Sequence, residues 1–318
     1  MEALRLKQGQ LFYDDHYPDP EPGAGEVKVR VLLAGICSTD LEMVKGYVPD
    51  FEGVLGHEFV GVVESPGSSW HGRRVVGSIS KGCGQCEMCQ LVGEGHCTQR
   101  LTLGIHGWDG AFATYLTMPE RHLYPVPDEL SNETAVFTEP LAAALRIQDQ
   151  VRVRPSQRVA VIGPGRLGLL IAQVLALNGT HVTVLGRSQQ SLQFPQTLGL
   201  PVGLAAEFDD NAFDFVVEVT GNEAGFAHAV RLVRPLGTII LKSTFAGLPA
   251  ADLSRLVVKE IQLVGSRCGP FAASLRLLAQ NGINVTDFIH HEYPLRDGLR
   301  AFAHASQRGV LKILLRPD

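Results

Sequence analysis

The spacing of the apolar residues changes near residue 140. Before that point the chain has short apolar runs at 27–37, 57–65, 73–80 and 111–119, with Gly- and Pro-rich segments such as 18–25 between them. Short runs bounded by turn residues are typical of β-strands. We therefore predict an irregular, β-rich domain over residues 1–140.

From residue 141 onward, helical and extended patterns alternate. The predicted helices are 141–151, 166–179 and 223–233, and the predicted strands are 158–163, 181–186, 213–221 and 237–245. Alternating units of this size predict a parallel, doubly wound sheet, and hence an α/β fold, over residues 141–270. In the tail, 271–318, a helix at 295–306 and a strand at 310–315 are expected to return to the first domain.

Composition narrows the class of protein without naming a function. The chain has 318 residues, 45% of them hydrophobic, and a formal net charge of -5. This charge gives no reason to expect nucleic acid or an anionic membrane as a partner. The first residues resemble no signal peptide, and no apolar run approaches the ~20 residues of a membrane span. We expect a cytoplasmic protein of about two domains.

Four of the six cysteines, Cys83, Cys86, Cys89 and Cys97, lie within fifteen residues. Four thiolates complete a closed tetrahedral zinc site, and a tight loop can supply three ligands at this spacing. Disulfides are the alternative, but cysteines spaced so closely pair poorly among themselves, and nothing indicates export. The cluster predicts a structural zinc site.

A glycine-rich turn follows the predicted strand 158–163 and opens a long helix. The turn is Gly163-Pro164-Gly165-Arg166-Leu167-Gly168. In a dinucleotide-binding domain, Gly163 would form the tight turn, Gly165 would let the backbone approach the pyrophosphate, and Gly168 would allow close helix–strand packing. The phosphates would lie at the helix N-terminus.

The end of the next strand indicates which dinucleotide is preferred. NAD-binding domains usually place Asp or Glu there to hold the ribose hydroxyls. This chain has Gly186-Arg187-Ser188, with no acid to repel a 2′-phosphate and a cation that could bind it. NADP is therefore favoured over NAD, although Arg187 could also be an ordinary exposed arginine.

Cys37, His57 and Glu139 form a second candidate metal set. A thiolate, an imidazole and a carboxylate give zinc a charge-balanced site with an open fourth position. Each residue alone has an ordinary structural explanation, but a four-cysteine cluster and a dinucleotide motif follow in the same chain. Asp40, three residues after Cys37, is a candidate acceptor for the N–H of a ligand imidazole.

The order of these motifs resembles the zinc-dependent medium-chain dehydrogenase/reductase superfamily. The similarity runs through Cys37-Ser38-Thr39-Asp40, Gly56-His57-Glu58, the four cysteines, Glu139-Pro140 and the glycine-rich turn, and covers essentially the whole chain. It implies a GroES-like domain and a Rossmann domain. Glu139, where liver-type alcohol dehydrogenases have cysteine, resembles the polyol and sugar dehydrogenase branch.

The resemblance also implies roles for individual residues. Cys37 and His57 would bind the catalytic zinc, and either Glu58 or Glu139 would be the third ligand, with Glu58 favoured at rest. Thr39 would accept the alcohol proton. The relay would end at Glu42, where many alcohol dehydrogenases have histidine, or in solvent.

The sequence thus predicts an oxidoreductase that moves a hydride between a secondary alcohol, polyol or sugar and NADP, with two zinc ions per chain. Family habit implies a homodimer or homotetramer. An NAD-dependent alcohol or threonine-type dehydrogenase is the alternative. A zinc-ribbon nucleic-acid binder would need split C-x-x-C pairs and a basic surface, and the sequence has neither. A non-catalytic descendant should have lost candidate ligands that this chain keeps.

Overall fold

The computed structural model describes residues 1–244 and 250–318. The chain divides into two compact units, residues 1–139 with 271–318, and residues 140–270. The boundaries fall at Glu139/Pro140, within a helix, and at Pro270/Phe271. None of the helices in the described residues is long and apolar enough to span a membrane.

The N-terminal part of the first unit is rich in short strands. They are β1 (Ala3–Lys7), β2 (Gln10–Asp14), β3 (Glu26–Gly35), β4 (Gly53–Val54), β5 (Glu58–Val63), β6 (Arg74–Gly77), β7 (Ser80–Lys81), β8 (Leu101–Leu103), β9 (Gly107–Trp108), β10 (Tyr115–Pro119) and β11 (Leu123–Pro125). The helices are α1 (Ser38–Val44), α2 (Glu87–Leu91) and α3 (Asn132–Ala135), with 3-10 turns at Glu94–His96 and Glu120–His122. The next helix, α4 (Thr138–Gln150), begins in this unit, and its residues from Pro140 onward belong to the second unit.

The second unit alternates strands and helices. It contains β12 (Arg158–Ile162), α5 (Arg166–Ala176), β13 (His181–Gly186), α6 (Gln189–Thr197), β14 (Val202–Leu204), a 3-10 turn (Ala205–Glu207), β15 (Phe213–Glu218), α7 (Glu223–Leu232), β16 (Val233–Leu241), α8 (Leu253–Val258) and β17 (Gln262–Gly265). The six strands are all parallel, in the order β14-β13-β12-β15-β16-β17. This is the 3-2-1-4-5-6 order of a doubly wound dinucleotide-binding sheet, and it confirms the predicted fold class.

The tail completes the first unit. It comprises α9 (Phe271–Ala279), β18 (Ile289–Pro294), α10 (Gly298–Ala305) and β19 (Lys312–Arg316), with 3-10 turns at Thr286–Phe288 and Leu295–Asp297. β19 pairs antiparallel with β3, which places it in the sheet β11-β6-β5-β3-β19-β18. The T-shaped ring pairs Phe112–Phe302 and Phe137–Phe288 pack the tail against the N-terminal part.

The alternation of buried and partly exposed residues along β3 fits its position as the central strand of this sheet. Buried residues recur at every second position through most of the strand, and Leu33 and Ala34 are fully buried near its end. β3 pairs with β5, β10 and β19. Its carboxyl end therefore lies next to the start of β5 and to β19, where the candidate catalytic residues are found. The predicted strand 237–245 ends in Phe245, which lies outside the described residues.

Candidate functional site

Cys37 lies where β3 passes into α1 and is the N-cap of that helix. Its backbone N–H donates to Asp40 Oδ2 at 2.7 Å. Its Sγ lies 3.8 Å from Thr39 Oγ1. Asp40 is fully buried and Cys37 partly exposed, so the thiol is held at a fixed position with one open side.

His57 and Glu58 reach the same place through strand pairing. Glu58 begins β5, and its backbone pairs with Gly35 at the end of β3. Gly56 has φ 97°, and a Cβ there would lie 2.5 Å from the Phe112 ring, so this turn requires glycine. One ligand atom each of Cys37, His57 and Glu58 lies within 4.8 Å of the others.

Asp40 lies on the Nδ1 side of the His57 ring, with Asp40 Oδ1 3.2 Å from that nitrogen. Burial alone lowers the pKa of His57, but Asp40 and then Cys37 outweigh it, so the pKa lies well above its ordinary value. A carboxylate at one ring nitrogen leaves the other, Nε2, for a ligand. This is how metal-binding histidines are usually oriented.

The donor set fits a zinc ion. Thiolate, imidazole and carboxylate are the ligands that zinc prefers in proteins. Glu58 Oε1 is buried and has no hydrogen-bond partner among the described residues, which leaves it available to a cation. Glu139, the second residue of α4, is not part of this close group of described side chains.

The structure adds one residue that the motifs did not indicate. Lys312 on β19 is buried, and its Nζ donates to Glu58 Oε2. A sequence signal was present, because Lys312 is the single charged residue in the apolar run VLKILL. A lysine inside a buried strand needs an anionic partner.

The four candidate ligands of the structural site come together in the loop around α2. The Sγ–Sγ distances are 3.5 Å for Cys86–Cys89, 3.6 Å for Cys97–Cys83, 3.8 Å for Cys86–Cys97 and 4.0 Å for Cys83–Cys89. Four sulfurs about 2.3 Å from a central zinc would lie about 3.8 Å apart, whereas a disulfide needs about 2.05 Å. The spacing fits a zinc tetrahedron.

The protonation of these thiols also favours a cation. The backbone N–H groups of Gln85 and Cys86 lower the pKa of Cys83 to about 6. Desolvation and then hydrogen bonding to the neighbouring sulfurs raise the pKa of Cys89 to about 12. Thiols crowded together cannot all ionise unless a positive charge lies among them, and a zinc ion would supply it.

Glu94 connects the four-cysteine loop to the 3-10 turn Glu120–His122. It accepts hydrogen bonds from the Gly82 N–H at 2.7 Å and from Arg121 Nε at 2.7 Å. Its Oε2 also lies 3.2 Å from His122 Nε2. Burial opposes ionisation of Glu94, but Arg121 and the Gly82 N–H outweigh it and lower the pKa.

In the second unit, the turn between β12 and α5 has the geometry of a phosphate-binding loop. Gly163 has φ 115°, and a Cβ there would lie 2.9 Å from the Val219 carbonyl oxygen. A Cβ at Gly168 would overlap the Gly163 carbonyl oxygen. A Cβ at Gly165, the N-cap of α5, meets nothing within 4 Å, so the backbone there is open to a ligand.

The segment after β13 contains the residues that the sequence predicts to meet an adenosine ribose. A Cβ at Gly186 would lie 2.5 Å from Ser191 Oγ, so glycine lets α6 pack against the strand end. Ser188 is the N-cap of α6. Arg187, between them, is exposed.

Comparison with known families agrees with this arrangement. The family profile described as alcohol dehydrogenase GroES-like domain matches residues 23–128, and that described as zinc-binding dehydrogenase matches residues 167–280. The chain belongs to the zinc-dependent medium-chain dehydrogenase/reductase superfamily, as predicted, and is an oxidoreductase. The family supports zinc and a nicotinamide cofactor.

Individual relatives are similar along nearly the whole chain. A sorbitol dehydrogenase of Halalkalibacterium halodurans is 28% identical over 94% of each chain. An L-galactonate-5-dehydrogenase of Escherichia coli is 29% identical over 86% of each.

The solved structures include a zinc-binding dehydrogenase of Sinorhizobium meliloti 1021 bound to NADP. It is 26% identical, with a TM-score of 0.89 and 99% of each chain covered. A second, from Escherichia coli with NADH, is 25% identical at the same TM-score and coverage. Both nicotinamide cofactors therefore occur among similar structures.

Proposed function

We propose that the protein is a zinc-dependent dehydrogenase that oxidises a secondary hydroxyl of a polyol or sugar to a carbonyl and prefers NADP. The observation that carries the proposal is the close group of Cys37, His57 and Glu58, in which His57 and Glu58 are buried and Cys37 is partly exposed. The names of the relatives, sorbitol dehydrogenase and L-galactonate-5-dehydrogenase, support hydroxylated carbon chains as the substrate class.

In this proposal Cys37, His57 and Glu58 hold the catalytic zinc, and the four-cysteine loop holds a second, structural zinc. When bound, the catalytic zinc supplies Lewis acidity that makes a substrate hydroxyl more acidic. The nicotinamide, when bound, accepts the hydride. The residues of this chain provide the remaining functions.

Thr39 is proposed to take the substrate proton. Its hydroxyl lies 3.8 Å from Cys37 Sγ, so it is beside the candidate zinc ligand. A hydroxyl can accept one proton while it donates its own to a further group, which is what a relay requires. Glu42, one turn further along α1, forms an ion pair with Lys45 at 2.8 Å. The onward acceptor is therefore proposed to be Glu42 or water.

The cofactor preference depends on Gly186, Arg187 and Ser188. A guanidinium that meets a 2′-phosphate makes charge-assisted hydrogen bonds of about 1.5–3 kcal/mol. An acid at this position would repel the phosphate, and Gly186-Arg187-Ser188 contains none. Gly163, Gly165, Arg166, Leu167 and Gly168 would hold the pyrophosphate through backbone N–H groups.

The test is a substrate screen with zinc-replete protein, in which the absorbance of the reduced cofactor, NADPH or NADH, is followed. Polyols, sugars, sugar acids and threonine should each be offered with NADP and with NAD. We expect turnover of polyols or sugar-derived alcohols, fastest with NADP. Turnover of threonine alone, or a clear preference for NAD, would favour the alternative dehydrogenase.

The cofactor assignment has its own variant. Arg187→Ala should weaken NADP binding about tenfold or more and change NAD binding little, because only NADP loses a contact. Arg152→Ala removes the same charge from another exposed position of this unit and should leave both affinities unchanged. Equal losses for NADP and NAD in Arg187→Ala would contradict the role of Arg187.

A further inference from the structure

Lys312 touches all three chain segments that carry the candidate ligands of the catalytic zinc. Its Nζ donates to Glu58 Oε2, next to His57, and lies 3.5 Å from the carbonyl oxygen of Ile36, which precedes Cys37. It also lies 5.3 Å from the centre of the Phe137 ring, two residues before Glu139. The side chains of Lys312 and Glu58 are each only 1% exposed.

The Glu58–Lys312 ion pair is packed closely against Gly35 of β3. A Cβ at Gly35 on β3 would lie 2.7 Å from Glu58 Oε2 and 3.5 Å from Lys312 Nζ. Any other residue at position 35 would therefore push against the ion pair. The glycine of β3 and the lysine of β19 together fix the direction of the Glu58 carboxylate.

The two oxygens of Glu58 consequently have different surroundings. Oε2 is occupied by Lys312, whereas Oε1 is buried without a hydrogen-bond partner among the described residues. Glu58 also contributes an oxygen to the close group with Cys37 and His57. A carboxylate held in this way has Oε1 left for a metal, while Oε2 already accepts a hydrogen bond from the Lys312 ammonium.

The balance of charge at the candidate site also indicates a role for Lys312. Cys37, as a thiolate, Asp40 and Glu58 would bring three negative charges into a largely buried region. A divalent ion with Lys312 neutralises them, provided that His57 is neutral as a metal ligand must be. Without the metal, Lys312 alone offsets Glu58.

We propose that Lys312 is a positioning residue that holds Glu58 by one oxygen, keeps it a one-oxygen ligand and thereby sets how zinc is bound at Cys37 and His57. The inference rests on the proposed function, since it assumes a metal at this site. If Lys312 loses its charge, Glu58 is free to turn both oxygens to the metal. The metal-free protein then contains a buried, uncompensated carboxylate, which is strongly destabilising.

The experiment compares Lys312→Met with Lys312→Arg and with Arg316→Met. Arg316 lies on the same strand and forms ion pairs with Glu292 and Glu133 that do not involve the candidate site. Each protein is loaded with Co²⁺, whose visible bands lose intensity when a fifth ligand atom joins a four-coordinate site. Co²⁺ in the four-cysteine loop should absorb identically in all variants and serves as the internal reference.

We expect weaker bands from the Cys37 site in Lys312→Met, and bands like those of the unchanged protein in Lys312→Arg and Arg316→Met. Thermal unfolding gives a second readout. The difference in unfolding temperature between the zinc-loaded and the chelator-treated protein should be larger in Lys312→Met than in the unchanged protein, by about 5 °C or more. A merely structural ion pair would lower both midpoints equally.

Gly35→Ala is a second variant, and it keeps every charge. Its methyl group should displace Glu58 Oε2 and change the cobalt spectrum of loaded protein even if Lys312→Met fails to fold without metal. Unchanged spectra in both variants, or an equal fall of both midpoints in Lys312→Met, would overturn the role of Lys312. If the unchanged protein bound no metal at Cys37, the proposed function would fail instead.

Discussion

The two candidate zinc sites of the first unit are built in opposite ways. The four cysteines lie between residues 83 and 97, around a helix of five residues, and their neighbours Leu91 and Val92 are 71% and 58% exposed. Cys37 follows the end of β3, whereas the pair His57–Glu58 lies at the start of β5. There, Asp40, Glu58 and Lys312 are almost completely buried.

This contrast indicates, for each site, whether the metal would organise the protein around it or the protein would organise the site before metal binds. The four-cysteine loop has hardly any apolar core, so we expect its conformation to depend on a zinc ion bound among the sulfurs. The Cys37 site is shaped by the pairing of β3 with β5 and β19 and by buried ion pairs. The first site should therefore be folded by its metal, whereas the second should be folded before its metal binds.

The largest expected effect separates the two sites directly. Cys89→Ser should unfold residues 82–100 and lower the stability of the protein, because structural zinc supplies folding free energy of the order of 10 kcal/mol in isolated peptides. Cys37→Ser should keep the fold but lower turnover at least about a thousandfold, since the Lewis acid contributes several kcal/mol. Hydrogen exchange of the loop and thermal unfolding measure the first change, and steady-state kinetics the second.

Zinc content completes this test. We expect two zinc ions per chain in the unchanged protein and about one in each variant, lost from different places. Cys268→Ser, at a cysteine outside both groups, is the matched control and should retain both ions. The comparison would fail if Cys89→Ser left the loop fully protected from exchange, or if Cys37→Ser remained fully active.

Most of what the sequence predicted is local. The four-cysteine cluster, the glycine-rich turn and the strand–helix alternation around β12 and α5 are patterns within 20 residues. No bounds were predicted for helix α6, which lies between two predicted strands, because its apolar residues are few and Pro195 lies within it. In the tail, α10 is readable because Ala301, Phe302 and Ala305 form one buried stripe along the helix.

The missing part of the catalytic site is not local. Lys312 and Glu58 are 254 residues apart in the chain, and the pairing of β3 with both β5 and β19 brings them together. The same sheet brings Glu58 into the close group with Cys37 and His57, whereas the sequence named Glu58 and Glu139 as alternative third ligands. Motif spacing carries no information about such sheet contacts.

An effect of intermediate size is expected from variants that test whether Glu58 or Glu139 is the third zinc ligand at the Cys37 site. Glu58→Gln should weaken zinc binding at this site about tenfold or more, because a neutral amide replaces a charged ligand. Glu139→Gln should leave zinc occupancy near that of the unchanged protein and mainly lower kcat. Chelator competition measures occupancy, and initial rates with saturating cofactor measure kcat.

The two glutamate variants serve as controls for each other, since each removes one carboxylate and keeps its volume. Loss of zinc in Glu139→Gln with full retention in Glu58→Gln would reverse the assignment. A structure with Glu139 about 2.0–2.2 Å from zinc and Glu58 outside that range would have the same meaning. The site would then depend on the helix α4 and not only on strand pairing.

The smallest expected effect concerns the contact between Glu94 of the four-cysteine loop and His122 of the 3-10 turn Glu120–His122. Burial lowers the pKa of His122, with Arg121 adding to the effect and Glu94 opposing it. His122 Nδ1 is buried without a hydrogen-bond partner among the described residues, so the neutral ring fits with Nε2–H donated to Glu94. A second proton would place an unsatisfied N–H in the interior.

Because this pKa is lower in the folded than in the unfolded chain, the unfolded state binds more protons as the pH falls below the ordinary histidine value of about 6.5. Stability should therefore be lost as the pH falls below about 6.5, by at most about 1.4 kcal/mol per pH unit from this residue. His122→Gln keeps a donor for Glu94 and should flatten that part of the profile of unfolding midpoints. His71→Gln, at an exposed histidine of the same unit, should reproduce the unchanged profile. If His122→Gln lost stability as steeply as His71→Gln, protonation of His122 would not be what loosens the attachment of the loop.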